Sequence, residues 1–325
     1  MDAVTDGAVV VRGLRKSYGG FEAVRGIDFT VAHGEVFSLL GPNGAGKTTT
    51  MEMLEGYRER SAGEAQVLGM DPQSRDRRFR ERVGIVLQEI AVDPYLTVRE
   101  AVARNSGYYP NPRNVDETIE LVGLKEKAIS RINKLSGGQQ RRLDLAMGII
   151  GNPDLLFLDE PTTGFDPNAR RGAWDVILGL REAGTTILLT THYMDEAQAL
   201  ADHVAVIAAG EIVATGTPDT IGGRQQAAVR IRFLLPAGTE LAHLPLPGRR
   251  NGEWVEIQTD EPTPVLHELT GWALDRGLDL PGLEVDRPTL EDVYIELTGA
   301  AARGSAPGSG REAGGPMLAG REGPA

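Results

Sequence analysis

Gly41-Pro42-Asn43-Gly44-Ala45-Gly46-Lys47-Thr48 is a G-x-x-x-x-G-K-[ST] run, and Thr49 extends it. The residues before it, Val36-Phe37-Ser38-Leu39-Leu40, form a short apolar stretch suited to a buried parallel strand. Those after it, Thr48 to Glu55, hold no breaker and suit a helix. A strand, a glycine-rich turn and a helix in that order distinguish a phosphate loop from a chance match. Glycines let backbone amides close around an anion, and the helix N-terminus adds partial positive charge. Lys47 is placed to reach the β- and γ-phosphates, and the Thr48 hydroxyl to ligate Mg²⁺. A glycine-rich cap would account for the glycines but not for Lys47-Thr48 at this offset. The stretch therefore implies a nucleoside triphosphate site.

On the N-terminal side, Val9-Val10-Val11 with Leu14 predicts an opening strand, and the alternation of Ile27, Phe29 and Val31 a half-buried one. On the C-terminal side, Tyr95 to Ile150 reads as mostly helical, broken at Tyr109-Pro110-Asn111-Pro112. Leu155-Leu156-Phe157-Leu158 and Thr186-Ile187-Leu188-Leu189 fit buried parallel strands, with a crossover helix over Asn168 to Ala183 between them. Val204 to Ile207 and Glu211 to Val213 flank Gly210 and read as a hairpin.

Two further stretches carry chemistry. The apolar strand Leu155 to Leu158 ends in Asp159-Glu160, and a carboxylate at that end of a parallel strand sits beside the phosphate loop. Asp159 is placed to hold Mg²⁺, and Glu160 to polarise the water that attacks the γ-phosphate. Leu135-Ser136-Gly137-Gly138-Gln139 precedes a helical run, with Ser136 a natural N-cap and two glycines leaving the first amides open to an anion. Alone, that stretch would be a flexible turn.

With 325 residues the chain can bury a full core and divide into more than one domain. No apolar run approaches the ~20 residues needed to cross a bilayer, and Met1 to Gly7 has no secretory character. There is no cysteine, hence no disulfide or thiolate metal site. These features predict a cytoplasmic chain. The formal net charge of −12 disfavours nucleic acid as a partner.

Taken together, the phosphate loop, Leu135–Gln139 and Asp159-Glu160 resemble, in order and spacing, the ATP-binding cassette (ABC) ATPases over roughly residues 8–220. The resemblance implies an α/β P-loop cassette: a RecA-like core, an antiparallel β subdomain and a helical subdomain. It implies ATP and Mg²⁺ as cofactors, and residue roles follow position by position. Tyr18 resembles the aromatic that stacks on adenine. Gln88, in Val86-Leu87-Gln88-Glu89, resembles the Q-loop glutamine that touches Mg²⁺ and the attacking water. Asp166 resembles the D-loop aspartate, although Phe165 stands where the family more often has leucine. His192 resembles the switch histidine at the γ-phosphate. In such proteins the signature of one chain completes the nucleotide site of another, so Ser136, Gly137, Gly138 and Gln139 imply a second copy paired head to tail.

A second region begins near Ala227, where Val229, Ile231 and Phe233 alternate, as do Val255 and Ile257 between Trp254, Glu256 and Gln258. Leu266 to Arg276 reads as a helix, and Leu290 to Leu297 as a short closing one. The expected division is a cassette over 8–222, a small C-terminal α/β domain over 227–299 and a disordered tail over 300–325. Pro288-Thr289-Leu290-Glu291-Asp292-Val293-Tyr294 with Leu297-Thr298-Gly299 resembles the end of daunorubicin-resistance-type exporter ATPases, which work with ABC-2-type permeases. The implied function is ATP hydrolysis energising efflux of a drug, antibiotic or lipid-like substrate, at the cytoplasmic face of the membrane. The alternative is a non-transport ABC ATPase regulating a macromolecular partner.

Overall fold

The computed structural model describes residues 7–86, 92–226, 228–236, 238–287 and 289–295. The first part contains β1 (Val9–Tyr18), β2 (Phe21–Val31), β3 (Val36–Leu40), α1 (Lys47–Leu54), β4 (Ala62–Val67), α2 (Arg77–Arg82) and β5 (Val83–Val86). Three helices follow: α3 (Val98–Ser106), α4 (Val115–Leu121) and α5 (Gly137–Ile149). Then come β6 (Leu155–Asp159), α6 (Pro167–Glu182), β7 (Thr186–Thr191), α7 (Met194–Leu200), β8 (His203–Ala208) and β9 (Glu211–Gly216). The last part holds β10 (Val229–Leu234), β11 (Arg249–Asn251), β12 (Trp254–Thr259), α8 (Pro262–Asp275), β13 (Glu284–Asp286) and a helical turn over 290–295.

The central sheet has the order β5-β6-β7-β3-β8-β9, parallel except for β9. Every residue of β3, β6 and β7 is buried, because helices and the second sheet cover both faces; that is why these strands read as unbroken apolar runs. Leu40 pairs with Thr191, and Asp159 with Thr190, so three neighbouring strands end at one level. Whatever follows them in sequence is delivered to one place. A smaller antiparallel sheet, β2-β1-β4, shares a core with one face of the central sheet through residues such as Leu14, Ile27, Phe37 and Phe157. On the other face, α3, α4 and α5 bury Val98, Val102, Ile119 and Leu143 with Leu156, Leu158 and Leu189.

Two strands carry little pattern of their own. β4 is small and polar with four exposed residues, and β5 is only four residues long. Gly84 in β5 is dictated by packing: a Cβ there would lie 2.2 Å from the Gly148 carbonyl oxygen of α5.

Residues 229–286 build a third sheet, antiparallel, in the order β11-β12-β10-β13. Ile231, Phe233, Val255 and Ile257 bury one face of it against Leu269 and Trp272 of α8. That helix begins at Pro262, earlier than the pattern from Leu266 predicts, since proline is tolerated in the first helical turn. Leu290 belongs elsewhere: it packs with Leu40, Ala197, Val204, Val206 and Ile221, in the core behind the phosphate loop. The expected tail over 300–325 and the end of the closing helix lie outside the described residues.

Candidate active site

The phosphate loop joins β3 to α1, and its turn closes at Gly46 with φ 105°. A side chain at that φ would be strained, and the adjacent Ala45 is buried, so the backbone stays narrow around the loop. Lys47 opens the helix and is almost fully buried. Its ammonium donates to the carbonyl oxygens of Gly41 at 2.8 Å and Pro42 at 3.2 Å, and lies 3.5 Å from Glu160 Oε1. Burial pulls its pKa below the ordinary lysine value, and the carboxylates of Glu160 and Asp159 oppose that shift.

Asp159 ends β6. The Thr48 hydroxyl donates to its Oδ2 at 3.2 Å, and the Thr190 hydroxyl donates to its Oδ1. An all-oxygen pair of hydroxyl and carboxylate beside a phosphate site suits a hard divalent ion such as Mg²⁺. Thr190 escaped the sequence reading because a threonine inside an apolar strand signals only β-propensity; its register opposite Asp159 is a tertiary fact.

Glu160 follows in the left-handed region, φ 48°, an unusual place for a long side chain and one associated with functional sites. The turn holds it there. Its amide donates to the Thr190 hydroxyl at 3.1 Å, its Oε2 accepts from the Thr163 hydroxyl at 3.2 Å, and Arg141 of α5 donates to its carbonyl at 3.1 Å. His192 Nδ1 lies 3.2 Å from Glu160 Oε1, close enough for ion pairing but not aligned as a directed hydrogen bond. Burial pushes the Glu160 pKa up, but His192, Lys47 and Thr163 together outweigh it and hold the carboxyl below its ordinary value. An ionised carboxylate, a buried ammonium and a histidine thus converge at three adjacent strand ends. Such a group can accept a proton from water while the cation faces phosphate.

Above them opens a cleft of about 550 Å³ lined by Asn43, Gly44, Lys47, Thr48, Thr49 and Glu160, with Tyr18 and Phe21 at its mouth. Tyr18 is 41% exposed and flanked by Lys16 and Arg58, whose charges lie 5.1 and 5.4 Å from its ring. Phe21, opposite Tyr18 across the hairpin and 60% exposed, offers a second ring that the sequence alone did not single out. A lone phenylalanine at the start of a strand carries no signal before the pairing is known.

Ser136 and Gln139 form a capping box at the start of α5, each side chain bonded to the other's amide at 3.3 and 3.0 Å. Neither these residues nor Gly137 and Gly138 line the cleft. A Cβ on Gly137 would meet nothing within 4 Å, so the space beside this glycine is open. Asp166 caps α6, accepting from the amides of Asn168 and Ala169 at 2.9 Å each. Gln88 lies outside the described residues.

Comparison with known proteins agrees with this geometry. The ABC transporter family profile matches residues 24–163, and that of an ABC transporter domain-containing protein-like C-terminal domain matches 229–289. The Nod factor export ATP-binding protein I of Rhizobium meliloti (strain 1021) is 40% identical over 301 residues, covering 90% of this chain and 88% of that protein. The daunorubicin resistance ATP-binding protein DrrA3 of Streptomyces coeruleorubidus is 37% identical over 313 residues, covering 91% and 97%. Among solved structures, cbiO1 from Clostridium perfringens, part of an ABC transporter complex, aligns with TM-score 0.60 and 26% identity over 66% of this chain and 90% of that one. A dimeric cassette in a post-hydrolysis state with ADP and Pi shares the fold, with TM-score 0.59 at 24% identity over 64% and 98%. With its phosphate loop, its Asp159-Glu160 strand end and this near full-length likeness, the chain belongs to the ATP-binding proteins of the ABC transporter family.

Proposed function

We propose that the chain is the ATP-hydrolysing subunit of an ABC exporter, held at the cytoplasmic face of the membrane by a separate ABC-2-type permease. The cargo class is a drug, antibiotic or lipid-like molecule. One observation carries this reading: likeness to an export protein and a resistance protein spans 90% and 91% of the chain, through the C-terminal domain as well as the cassette. Among the described residues no helix is long and apolar enough to cross a membrane; in this reading the separate permease supplies the path.

In this reading, the loop of residues 41–49 and the Lys47 ammonium bind the triphosphate, and Tyr18 stacks on adenine. Glu160 accepts the proton of the attacking water, and His192 bears on the γ-phosphate. Thr48, Asp159 and Gln88 would hold Mg²⁺, which when bound neutralises phosphate charge. Ser136, Gly137, Gly138, Gln139 and Asp166 serve the nucleotide of a second, identical chain paired head to tail. Their position away from this chain's own cleft, with open space beside Gly137, supports that assignment. The division into 8–222 and 227–299 is part of the proposal and is supported by the separate sheet of residues 229–286, which has a core of its own.

Glu160→Gln tests the assignment. The amide cannot take the proton, so ATP binding persists while turnover falls by about 10³, equivalent to ~4 kcal/mol of transition-state stabilisation. The variant should accumulate as an ATP-bound dimer on size-exclusion chromatography. Unaltered turnover would overturn the catalytic role. Recovery of the tagged chain from membranes with an integral permease is the expected partner result; recovery with a soluble macromolecule alone would favour the regulatory alternative.

A further inference from the structure

We propose that Glu196 is a positioning residue for hydrolysis, its buried carboxyl tying the turn that presents Glu160 to the turn that presents His192. The proposal rests on the reading of those two residues as the hydrolytic pair. Glu196 lies in the first turn of α7 and is fully buried, which is rare for a glutamate without a structural or functional use. Donors from two other segments converge on it. The hydroxyl of Thr162, itself fully buried, donates to Oε1 at 2.6 Å. The Trp174 indole of α6 donates to the same oxygen at 3.3 Å. Oε2 is enclosed and has no hydrogen-bond partner among the described residues. Burial outweighs the donors and raises the pKa, which favours the neutral acid.

Two threonines, one in each turn, sit where they matter. Thr162 anchors a turn in which the Thr163 amide donates to the Glu160 carbonyl at 3.3 Å and the Phe165 amide to the Thr162 carbonyl at 3.1 Å. That turn carries the left-handed backbone of Glu160, a conformation that persists only where its surroundings enforce it. Thr191 precedes His192, and its hydroxyl accepts from the Tyr193 amide at 2.9 Å. The Tyr193 ring lies 4.0 Å from that of His192, under the Arg170 guanidinium at 4.5 Å, and Arg170 is paired with Asp195 at 2.7 Å. Bonded to Thr162 on one side and carried by the helix that directly follows His192 on the other, Glu196 therefore joins both sides of the 3.2 Å approach between Glu160 and His192. None of its hydrogen-bond partners lines the nucleotide cleft, so its loss should loosen the reacting geometry without touching the groups that hold the nucleotide.

The test is steady-state phosphate release by the full chain, with nucleotide binding and melting temperature measured beside it. Glu196→Ala should lower kcat roughly 100-fold, the effect of an ångström-scale misplacement, with KM for ATP within about threefold of wild type. Thr162→Val, which removes the donor and keeps the shape, should do the same. Glu196→Gln keeps the Oε1 acceptor on a neutral group and should restore kcat to within a few-fold. Should Glu196→Ala fail to fold, the other two variants decide. Wild-type kcat in folded Glu196→Ala or Thr162→Val, a defect in Glu196→Gln as deep as in the alanine variant, or a loss appearing in KM would each overturn the proposal. Glu160→Gln run in parallel separates the two levels. If it too turns over normally, the hydrolytic pair was misassigned; if it alone is dead, the positioning role is what falls.

Discussion

Two buried ionisable side chains near the cleft are poised in opposite ways. Lys47 is held by carbonyl oxygens and by Glu160, and in the proposed complex its ammonium turns to phosphate. Lys47→Ala removes a charge-assisted bond worth about 1.5–3 kcal/mol, so nucleotide affinity should fall some ten- to hundredfold with the melting temperature held. Titration with a fluorescent ATP analogue reads this, and unchanged affinity would take Lys47 out of the site. Glu55 closes α1 and is buried beside the charges of Asp159 and Glu52; burial first, then those neighbours, pushes its pKa to about 8. Between its ordinary 4.5 and about 8, the native chain keeps a proton that the unfolded chain has released. Stability must then fall as pH rises through that window, by up to ~1.4 kcal/mol per pH unit for this group. Glutamine has no such proton. Urea unfolding without nucleotide or Mg²⁺ should therefore show Glu55→Gln gaining on wild type from pH 5 to pH 8; a pH-independent difference would refute the assignment.

Between elements, one very close contact joins β5 to α5. Gly84 faces the Gly148 carbonyl, and a Cβ on Gly148 would in turn come within 2.5 Å of Val86 Cγ2. Both obstacles lie in a well-packed interior, so Gly84→Ala must push strand and helix apart at a cost of about 1–3 kcal/mol. Because α5 also reaches Asp159 and Glu160 through Arg141, the same change should slow ATP turnover. Thermal melts alongside phosphate release check both; a melting temperature equal to wild type would show that the contact relaxes freely. This element pair is also where the sequence was least readable. A four-residue strand interrupted by glycine has no period to detect, and only the approaching helix explains why glycine stands there.

At the level of the whole molecule, the turn over 290–295 connects the C-terminal region to the cassette in two ways. Leu290 is buried among Leu40, Val204 and Val206, while Asp292 pairs with Arg230 of β10 at 3.7 Å. Leu40 immediately precedes the phosphate loop, so the contact lies directly behind the site. Leu290→Ala opens a cavity and should cost about 2–5 kcal/mol, more than an exposed position would allow. Differential scanning calorimetry measures this; a loss under ~0.5 kcal/mol would mean that the turn rests on the cassette without stabilising it. It follows that a truncation at Ala227 also strips a cover from cassette apolar surface, and the shortened chain should aggregate more readily.

What the sequence determined by itself was whatever depends on local geometry or on a fixed offset along the chain. The strand–loop–helix of residues 36–55, the carboxylates at the end of β6, the Ser136 cap and the alternation of β10 and β12 are of that kind, because each is written within one or two turns or strands. Tertiary structure decided what depends on register and packing. It set Thr190 opposite Asp159, Phe21 across from Tyr18, Glu196 beneath two turns 30 residues apart (Glu160 and Thr190 are bonded across that separation), and Leu290 in the cassette core. A buried glutamate, threonine or leucine looks the same in sequence wherever it lies. Only the alignment of three strand ends and the closing of the core against them gives such residues neighbours, and with neighbours their chemistry.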